Sequence, residues 1–179
     1  AFDEAVRSSR VPDVANDSTV QDADKALDRA VSAFPEWRNE KPVRRSQMLM
    51  EAAAKMRLRR DELSGIIIRE SGKVWREADA DVCEAIDFCE YYAREAMNLF
   101  EHRRLGLFVG EHDSEFHEPR GVTVVISPWN FPLAIACGMT VAALVTGNTV
   151  ILKPAEQTPG IAKILVDILH QSGVPKQVL

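Results

Sequence analysis

The chain has 179 residues and a formal net charge of −5, with 46% hydrophobic and 27% charged residues. This length and composition are typical of one globular domain, and the acidic balance gives no reason to expect nucleic-acid or anionic-membrane binding. The longest apolar stretch, residues 133–145, is interrupted by Gly138 and Thr140 and is shorter than the ~20 residues that a membrane span needs.

The first 104 residues carry helical patterns of hydrophobicity. Residues 1–18 are polar and predict an irregular leading segment. A helix is then expected from about Val20 to Phe34, capped by Asp17 or Ser18 and with Pro35 at or just after its end. The predicted buried face of this helix holds Ala23, Leu27, Ala30, Val31 and Phe34.

Three more helices are predicted before residue 104. Pro42 opens the second helix, and the third runs from about Arg60 to Glu70 and stops at Gly72. The fourth covers about residues 74–100. The core positions expected on the second helix are Met48, Leu49, Ala52, Ala53 and Met56. Those expected on the fourth are Val82, Ala85, Ile86, Cys89, Ala93, Ala96, Met97 and Phe100.

The pattern changes after residue 104. Residues 105–109 and 115–118 predict either the two arms of a hairpin or an extended excursion. Residues 121–127 are rich in β-branched side chains, which is typical of a strand buried on both faces.

An apolar helix over 133–146, a strand over 149–152 and a helix over 158–172 follow that strand. The order strand–helix–strand–helix predicts two parallel strands joined by a crossover. We therefore predict an α/β fold in which N-terminal helices precede the first βαβα unit of a doubly wound, Rossmann-like parallel sheet.

A polar segment follows each predicted strand, where open α/β sheets bind their ligands. In the first, Pro128 and Pro132 restrict the loop that carries Asn130, and Pro132 is expected to be the first residue of the next helix. A fixed carboxamide beside a helix N-terminus suits an oxyanion-hole donor. The alternative is a turn asparagine that bonds to its own backbone.

In the second segment, Lys153 ends a strand and Glu156 lies in the loop before a helix. An ammonium and a carboxylate on one loop can donate to and accept from the two hydroxyls of a ribose. The alternative is a solvated ion pair near a helix start.

Cysteines and histidines give no metal or disulfide signal. Cys83, Cys89 and Cys137 fall on or beside predicted apolar helix faces, which favours buried, inert thiols. The four histidines lack metal-ligand spacing, so no metal site is predicted. Few cysteines and no visible secretion signal lead us to expect the cytoplasm.

PWNFP at 128–132 and GNTVILKPAEQTP at 147–159 together resemble the aldehyde dehydrogenase superfamily. Residues 30–73 are similar to the N-terminal helical region of that superfamily. Residues 78–96 and 118–138 resemble the branch that oxidises 1-pyrroline-5-carboxylate through glutamate semialdehyde, which includes the C-terminal module of bifunctional proline-utilisation proteins.

The resemblance implies a role for each matching residue. Asn130 matches the catalytic oxyanion-hole asparagine, Lys153 and Glu156 match the pair that holds the adenine ribose of NAD, and Phe131 matches an aromatic wall of the aldehyde tunnel. The cofactor-binding residues implied are Ile126, Ser127, Pro128, Trp129, Lys153, Ala155 and Glu156.

The resemblance also implies a domain organisation. Residues 1–104 would be the helical part of the NAD-binding domain, 105–120 an oligomerisation arm, and 121–179 the first βαβα part of that domain. No cysteine here matches the family's nucleophile, and the glutamate base and phosphate loop have no match either.

We therefore expect an inactive N-terminal part of an NAD-dependent enzyme that oxidises glutamate semialdehyde to glutamate. The resemblance implies a homo-oligomer with a small aldehyde substrate. The alternatives are another semialdehyde dehydrogenase, such as a succinic-semialdehyde type, and a truncated, non-catalytic binding or assembly module.

Overall fold

The computed structural model describes residues 2–179, and its elements confirm the predicted α/β class. The helices are α1 (Phe2–Ser8), α2 (Val20–Trp37), α3 (Pro42–Leu58), α4 (Arg60–Ser71), α5 (Trp75–Leu99), α6 (Ala134–Val145) and α7 (Pro159–Gln171). The strands are β1 (Arg103–Arg104), β2 (Ser114–Glu115), β3 (Val122–Ile126) and β4 (Thr149–Lys153). Five helices thus precede a βαβα unit whose two strands are parallel.

The leading segment is not irregular throughout, because residues 2–8 form α1. This helix packs against α4, and the Ser9 hydroxyl at its end donates a 3.2 Å hydrogen bond to the Glu62 carbonyl. The prediction was wrong because this helix has only two turns. Among residues 3–8 it buries only Ala5 and Val6 in part, which is too few positions for a visible period.

The cap of α2 is Thr19 rather than Asp17 or Ser18. The Thr19 hydroxyl accepts from the Asp22 amide at 3.3 Å, and the Thr19 amide donates to the Asp22 carboxylate at 3.0 Å, which together form a capping box. The helix also continues through Pro35 to the buried Trp37, so the predicted end was wrong. Proline removes one backbone donor in the last turn, while Trp37 anchors that turn in the core.

The predicted buried face of α2 was wrong except at Ala30. Leu27 and Val31 are exposed, because α2 turns a neighbouring face toward the core. Ala23 is exposed and Phe34 is half-buried. The residues that α2 buries are Ala30, Ala33 and Trp37.

The predictions for α3, α4 and α5 are confirmed apart from the end of α5. All five core positions expected on α3 are buried, and α4 ends at Gly72, whose φ of 72° is left-handed. On α5 the expected stripe is buried through Ala96, but Met97 is exposed and Phe100 is half-buried just beyond the helix.

Residues 103–115 form a small hairpin that projects from the core. Arg103 pairs with Glu115 and Arg104 with Ser114. The first paired arm therefore precedes the expected 105–109, the second overlaps the expected 115–118 only at Glu115, and both arms are shorter than predicted. Every residue from 101 to 118 is exposed.

β3 and β4 pair in parallel register, from Val122 opposite Thr149 to Ile126 opposite Lys153. The expectation that β3 is buried on both faces was wrong, since Val124 is 56% and Ile126 is 70% exposed. Side chains alternate between the faces of a strand, and α2, which contacts this face at Thr149, leaves these two side chains exposed.

The apolar helix expected after β3 is confirmed as α6, and it is largely buried. Pro132 is not its first residue: it lies in a turn, and α6 begins at Ala134. A carboxylate from α5 caps the Ala134 amide at the observed start. Among residues 2–179, no helix is long and apolar enough to cross a membrane.

Candidate functional site

The two sequence motifs lie side by side at one edge of the sheet. Ile126 and Lys153 are register partners at the carboxyl ends of β3 and β4, and the Ser127 amide donates to the Lys153 carbonyl at 3.2 Å. The β3–α6 loop (residues 127–133) and the β4–α7 loop (residues 154–158) therefore leave the sheet next to each other, at the edge where α/β proteins bind ligands.

The β3–α6 loop is anchored at both ends and exposed in the middle. Ser127 and Leu133 are buried, whereas Trp129, Asn130 and Phe131 are exposed. Within residues 2–179, the carboxamide of Asn130 makes no hydrogen bond, so the structure does not show the alternative of a self-bonded turn asparagine. Asn130 thus presents unused donors at the edge of the sheet.

An ion pair from the helical region lies beneath this loop. Lys73, in the α4–α5 connection, donates from Nζ to the Asp81 carboxylate at 2.8 Å. Asp81 is 1% exposed and the Lys73 side chain 11%. A buried pair of this kind requires further polar contacts to offset its desolvation.

Those further contacts all go to the β3–α6 loop and to the start of α6. Lys73 Nζ donates to the Asn130 carbonyl at 2.9 Å and lies 4.1 Å from the centroid of the Phe131 ring. The second Asp81 oxygen accepts from the Ala134 amide at 2.7 Å and so caps α6. The pair thereby contacts residues 130, 131 and 134.

Sequence reasoning missed Lys73 and Asp81. The available signal was the position of Asp81 on the buried face of α5, between the core residues Ala78 and Ala85. A carboxylate on an apolar stripe needs a buried partner, which Lys73 supplies.

The β4–α7 loop carries an exposed ion pair. Lys153 Nζ lies 3.2 Å from a Glu156 carboxylate oxygen, and both side chains are more than half exposed. A hydrogen bond from its own backbone amide, and then the Lys153 ammonium, lower the pKa of Glu156 below its ordinary value. A charged donor and a charged acceptor thus lie together in water.

This pair borders a cleft of about 380 Å³. The residues that line the cleft are Val14, Ala15, Asn16, Ser18, Lys153, Pro154, Ala155, Glu156 and Pro159. Ala155 is buried in its wall. Asn130 and Trp129 are not among the lining residues, so the two motifs share an edge of the sheet but not this cleft.

A second distant carboxylate caps α7. The two oxygens of Glu70, at the end of α4, accept from the Gly160 amide at 2.6 Å and the Ile161 amide at 2.9 Å. Both helices that follow the candidate loops therefore begin on acidic side chains from the helical region.

The described cysteines are not placed as nucleophiles. The Sγ atoms of Cys89 and Cys137 lie 3.6 Å apart in the core. The contact with Cys89 and complete burial raise the pKa of Cys137, and burial raises the pKa of the half-buried Cys83. Residues 2–179 contain no cluster of three or more side chains suited to hold a metal ion.

The sequence and structure match known proteins of one family. Residues 7–179 match the model of the aldehyde dehydrogenase family. The chain is 50% identical over 157 residues to 1-pyrroline-5-carboxylate dehydrogenase 2 of Bacillus subtilis (strain 168), an alignment that covers 88% of this chain and 30% of that protein. The chain thus spans about 30% of the length of such curated relatives.

Solved structures show the same similarity. A 1-pyrroline-5-carboxylate dehydrogenase from Thermus with bound NAD superposes with a TM-score of 0.86 and 43% identity, over 90% of this chain and 31% of that one. A mutant of proline utilization A from Bradyrhizobium japonicum superposes with a TM-score of 0.92 and 38% identity, over 98% of this chain and 18% of that one.

Proposed function

The chain belongs to the aldehyde dehydrogenase family, and from this premise we propose that it supplies the oxyanion donor and the adenosine-binding residues of a 1-pyrroline-5-carboxylate dehydrogenase. The reaction proposed for the whole enzyme is oxidation of glutamate semialdehyde to glutamate. The observation that carries this proposal is the unpartnered Asn130 carboxamide, at the same edge of the sheet as the Lys153–Glu156 pair.

Asn130 would act at the carbonyl carbon of the substrate. When a nucleophile adds to an aldehyde, negative charge develops on the carbonyl oxygen, and a fixed N–H donor stabilises that charge. The carboxamide of Asn130 is exposed and free to donate, and the Asn130 carbonyl accepts a hydrogen bond from Lys73. Phe131, exposed next to it, would form a wall of the aldehyde site.

Lys153 and Glu156 would bind the adenine ribose of NAD. Lys153 can donate to one ribose hydroxyl, and the Glu156 carboxylate can accept from the other. The pair fits this ligand because both groups are exposed at the rim of an open cleft, with Ala155 in its wall. When bound, NAD supplies the hydride acceptor, and the backbone of residues 126–129 would line its site.

We propose that these 179 residues do not oxidise the aldehyde by themselves. The family reaction needs a cysteine thiolate, and the buried Cys89 and Cys137 and the half-buried Cys83 do not present one. Aldehyde-dependent NADH formation by the purified 179-residue chain would contradict this proposal.

Self-association is part of the proposal. The hairpin and the residue that follows it expose large apolar side chains, namely Leu105, Leu107, Phe108, Val109 and Phe116. We propose that residues 105–120 contact a second copy of the chain. Residues 1–104 and 121–179 would form parts of one NAD-binding domain. The enzyme would act in the cytoplasm. Sedimentation across a concentration series, with a Phe108→Ser variant as comparison, tests the association.

The activity test uses the complete gene product that contains these residues. We expect NADH formation from glutamate semialdehyde, and a loss of about 10²–10³-fold in kcat for Asn130→Ala. Asn98→Ala, an exposed asparagine on α5, is the matched control and should leave kcat unchanged. Lys153→Met should instead raise the KM for NAD.

Two outcomes would contradict the proposed function. One is turnover of succinic semialdehyde without turnover of glutamate semialdehyde, which would favour another semialdehyde dehydrogenase. The other is an Asn130→Ala enzyme with the wild-type kcat.

A further inference from the structure

We propose that Lys73 is a positioning residue of the active site, which holds the backbone of Asn130 so that its carboxamide faces the reacting carbonyl. The proposal rests on the function proposed for Asn130. Lys73 lies 57 positions before Asn130 in the sequence, and its hydrogen bond to that residue is a tertiary contact.

The contacts of one ammonium group carry the argument. A lysine ammonium has three donors, and Lys73 directs two of them at the Asp81 carboxylate and the Asn130 carbonyl. The same group lies over the Phe131 ring, at 4.1 Å. One cation therefore contacts two consecutive residues of the loop.

Besides Lys73, one hydrogen bond holds this segment, from the Ile135 amide to the Phe131 carbonyl at 3.3 Å, and none of the other described loop contacts reaches the backbone of Asn130. Ser127 ties the loop to β4, and the buried Leu133 and the capped Ala134 hold its far end. Between these ends, Asn130 and Phe131 are exposed. Among residues 2–179, Lys73 provides the one hydrogen bond to the backbone of Asn130.

Asp81 makes this anchor rigid. Its carboxylate is buried and bonds to both Lys73 and the Ala134 amide, so the position of the ammonium is tied to the start of α6. The carbonyl and carboxamide of Asn130 belong to one residue, so fixing the carbonyl restricts the direction of the side chain. A displacement of about 1 Å at a reacting group can cost roughly 100-fold in rate.

The main test replaces both members of the pair with neutral residues, in the complete gene product. In Lys73→Met/Asp81→Asn, the amide oxygen introduced at position 81 can still accept from the Ala134 amide, and no buried charge is left unpaired. We expect kcat for glutamate semialdehyde to fall about 100-fold while the KM for NAD stays unchanged. A purely structural role would not separate these two constants.

The matched control removes an exposed pair of the same chemistry. Lys163 and Asp167 on α7 lie 2.7 Å apart with both side chains about half exposed. Lys163→Met/Asp167→Asn should leave kcat unchanged. Equal kcat values for the test and control variants would overturn the proposal.

A second variant decides the question if the double variant does not fold. Lys73→Arg keeps a cation and donors beside Asp81, and we expect it to fold and to retain more activity than Lys73→Met. If Lys73→Arg folds and Lys73→Met has the same kcat as Lys73→Arg, the cation does not position Asn130 and the proposal is wrong.

A readout independent of activity separates this proposal from the proposed function. Amide hydrogen exchange over residues 129–134 should be faster in the test variant than in wild type and unchanged in the control. If wild type does not oxidise glutamate semialdehyde but exchange accelerates as expected, the proposed function fails and the anchoring stands. Unchanged exchange would overturn the anchoring.

Discussion

The β3–α6 and β4–α7 loops start from neighbouring strands and end on helices capped by carboxylates, yet they are held differently. Asp81 caps α6 while buried and paired with Lys73, which also contacts the β3–α6 loop. Glu70 caps α7 while half-buried, and among residues 2–179 no cation pairs with it. The charged groups of the β4–α7 loop, Lys153 and Glu156, pair locally and in water.

This difference agrees with the roles proposed for the two loops. An oxyanion donor is effective only if it is already oriented before the reaction. The buried Lys73–Asp81 pair, which contacts the β3–α6 loop, suits that requirement. A ribose-binding pair must exchange its mutual contact for contacts with hydroxyls, and an exposed pair loses little when it does so. Substitutions in the residues that hold each loop test this contrast.

The largest effect is expected for Asp81→Ala. It removes the cap of α6 and leaves Lys73 buried without its partner, and breaking such a pair costs about 3–5 kcal/mol in the free energy of unfolding. The control is Asp79→Ala on the same helix, whose partner is the partly exposed Arg60 and which should cost no more than about 1 kcal/mol. Urea unfolding followed by circular dichroism measures the free energy of unfolding of both variants. Equal losses for Asp81→Ala and Asp79→Ala would contradict the special role given to the buried pair.

A smaller effect is expected for Glu70→Ala. It leaves the Gly160 and Ile161 amides without their acceptor, and the loss of a helix cap costs about 1–2 kcal/mol. Glu70→Gln should cost less, because its amide oxygen can still accept one of the two bonds. The same unfolding measurement applies, and a cost for Glu70→Ala as large as that of Asp81→Ala would show that the two caps are equivalent.

The smallest effect is expected for Lys153→Met. The free energy of unfolding should not change measurably, but NMR titration should show the pKa of Glu156 rising toward its ordinary value without reaching it. The backbone hydrogen bond, which is the larger cause of the lowered pKa, remains in this variant. An unchanged pKa would mean that Lys153 and Glu156 do not interact in solution.

The sign of the pH dependence follows from the lowered pKa of Glu156. The contact with Lys153 requires the charged carboxylate, so it is present above the unfolded-state pKa and is lost as the pH falls through the folded-state pKa. The ribose contact proposed for Glu156 should weaken over the same acidic range, which titration of the protein with AMP can measure.

Much of the fold could be predicted from the sequence because its signals are local. The apolar period of α3, the left-handed Gly72 and the order of β3, α6 and β4 each depend on residues close in the chain. The neighbouring position of the two candidate loops follows from parallel pairing alone. The family motifs then supplied roles for Asn130, Lys153 and Glu156, which stay predictions until they are tested.

The errors in the sequence analysis have a common physical origin. Val31 and Leu27 fit an apolar face of α2, but the core packs against the neighbouring face. The composition of β3 indicates burial on both faces, but burial depends on what covers a strand, and Val124 and Ile126 are uncovered.

The sequence by itself determined the parallel strand pair, the edge at which both loops lie and the residues that the loops present. Only the tertiary structure decided which charged side chains contact these loops and the helices that follow them. Sequence pattern does not distinguish the several acidic side chains on α4 and α5 from one another. Of these, only Glu70 and Asp81 bond to amides in the first turns of α7 and α6. That selection depends on how helices distant in the chain pack together, because a carboxylate caps a helix only when the packing brings it within hydrogen-bonding distance of the amides.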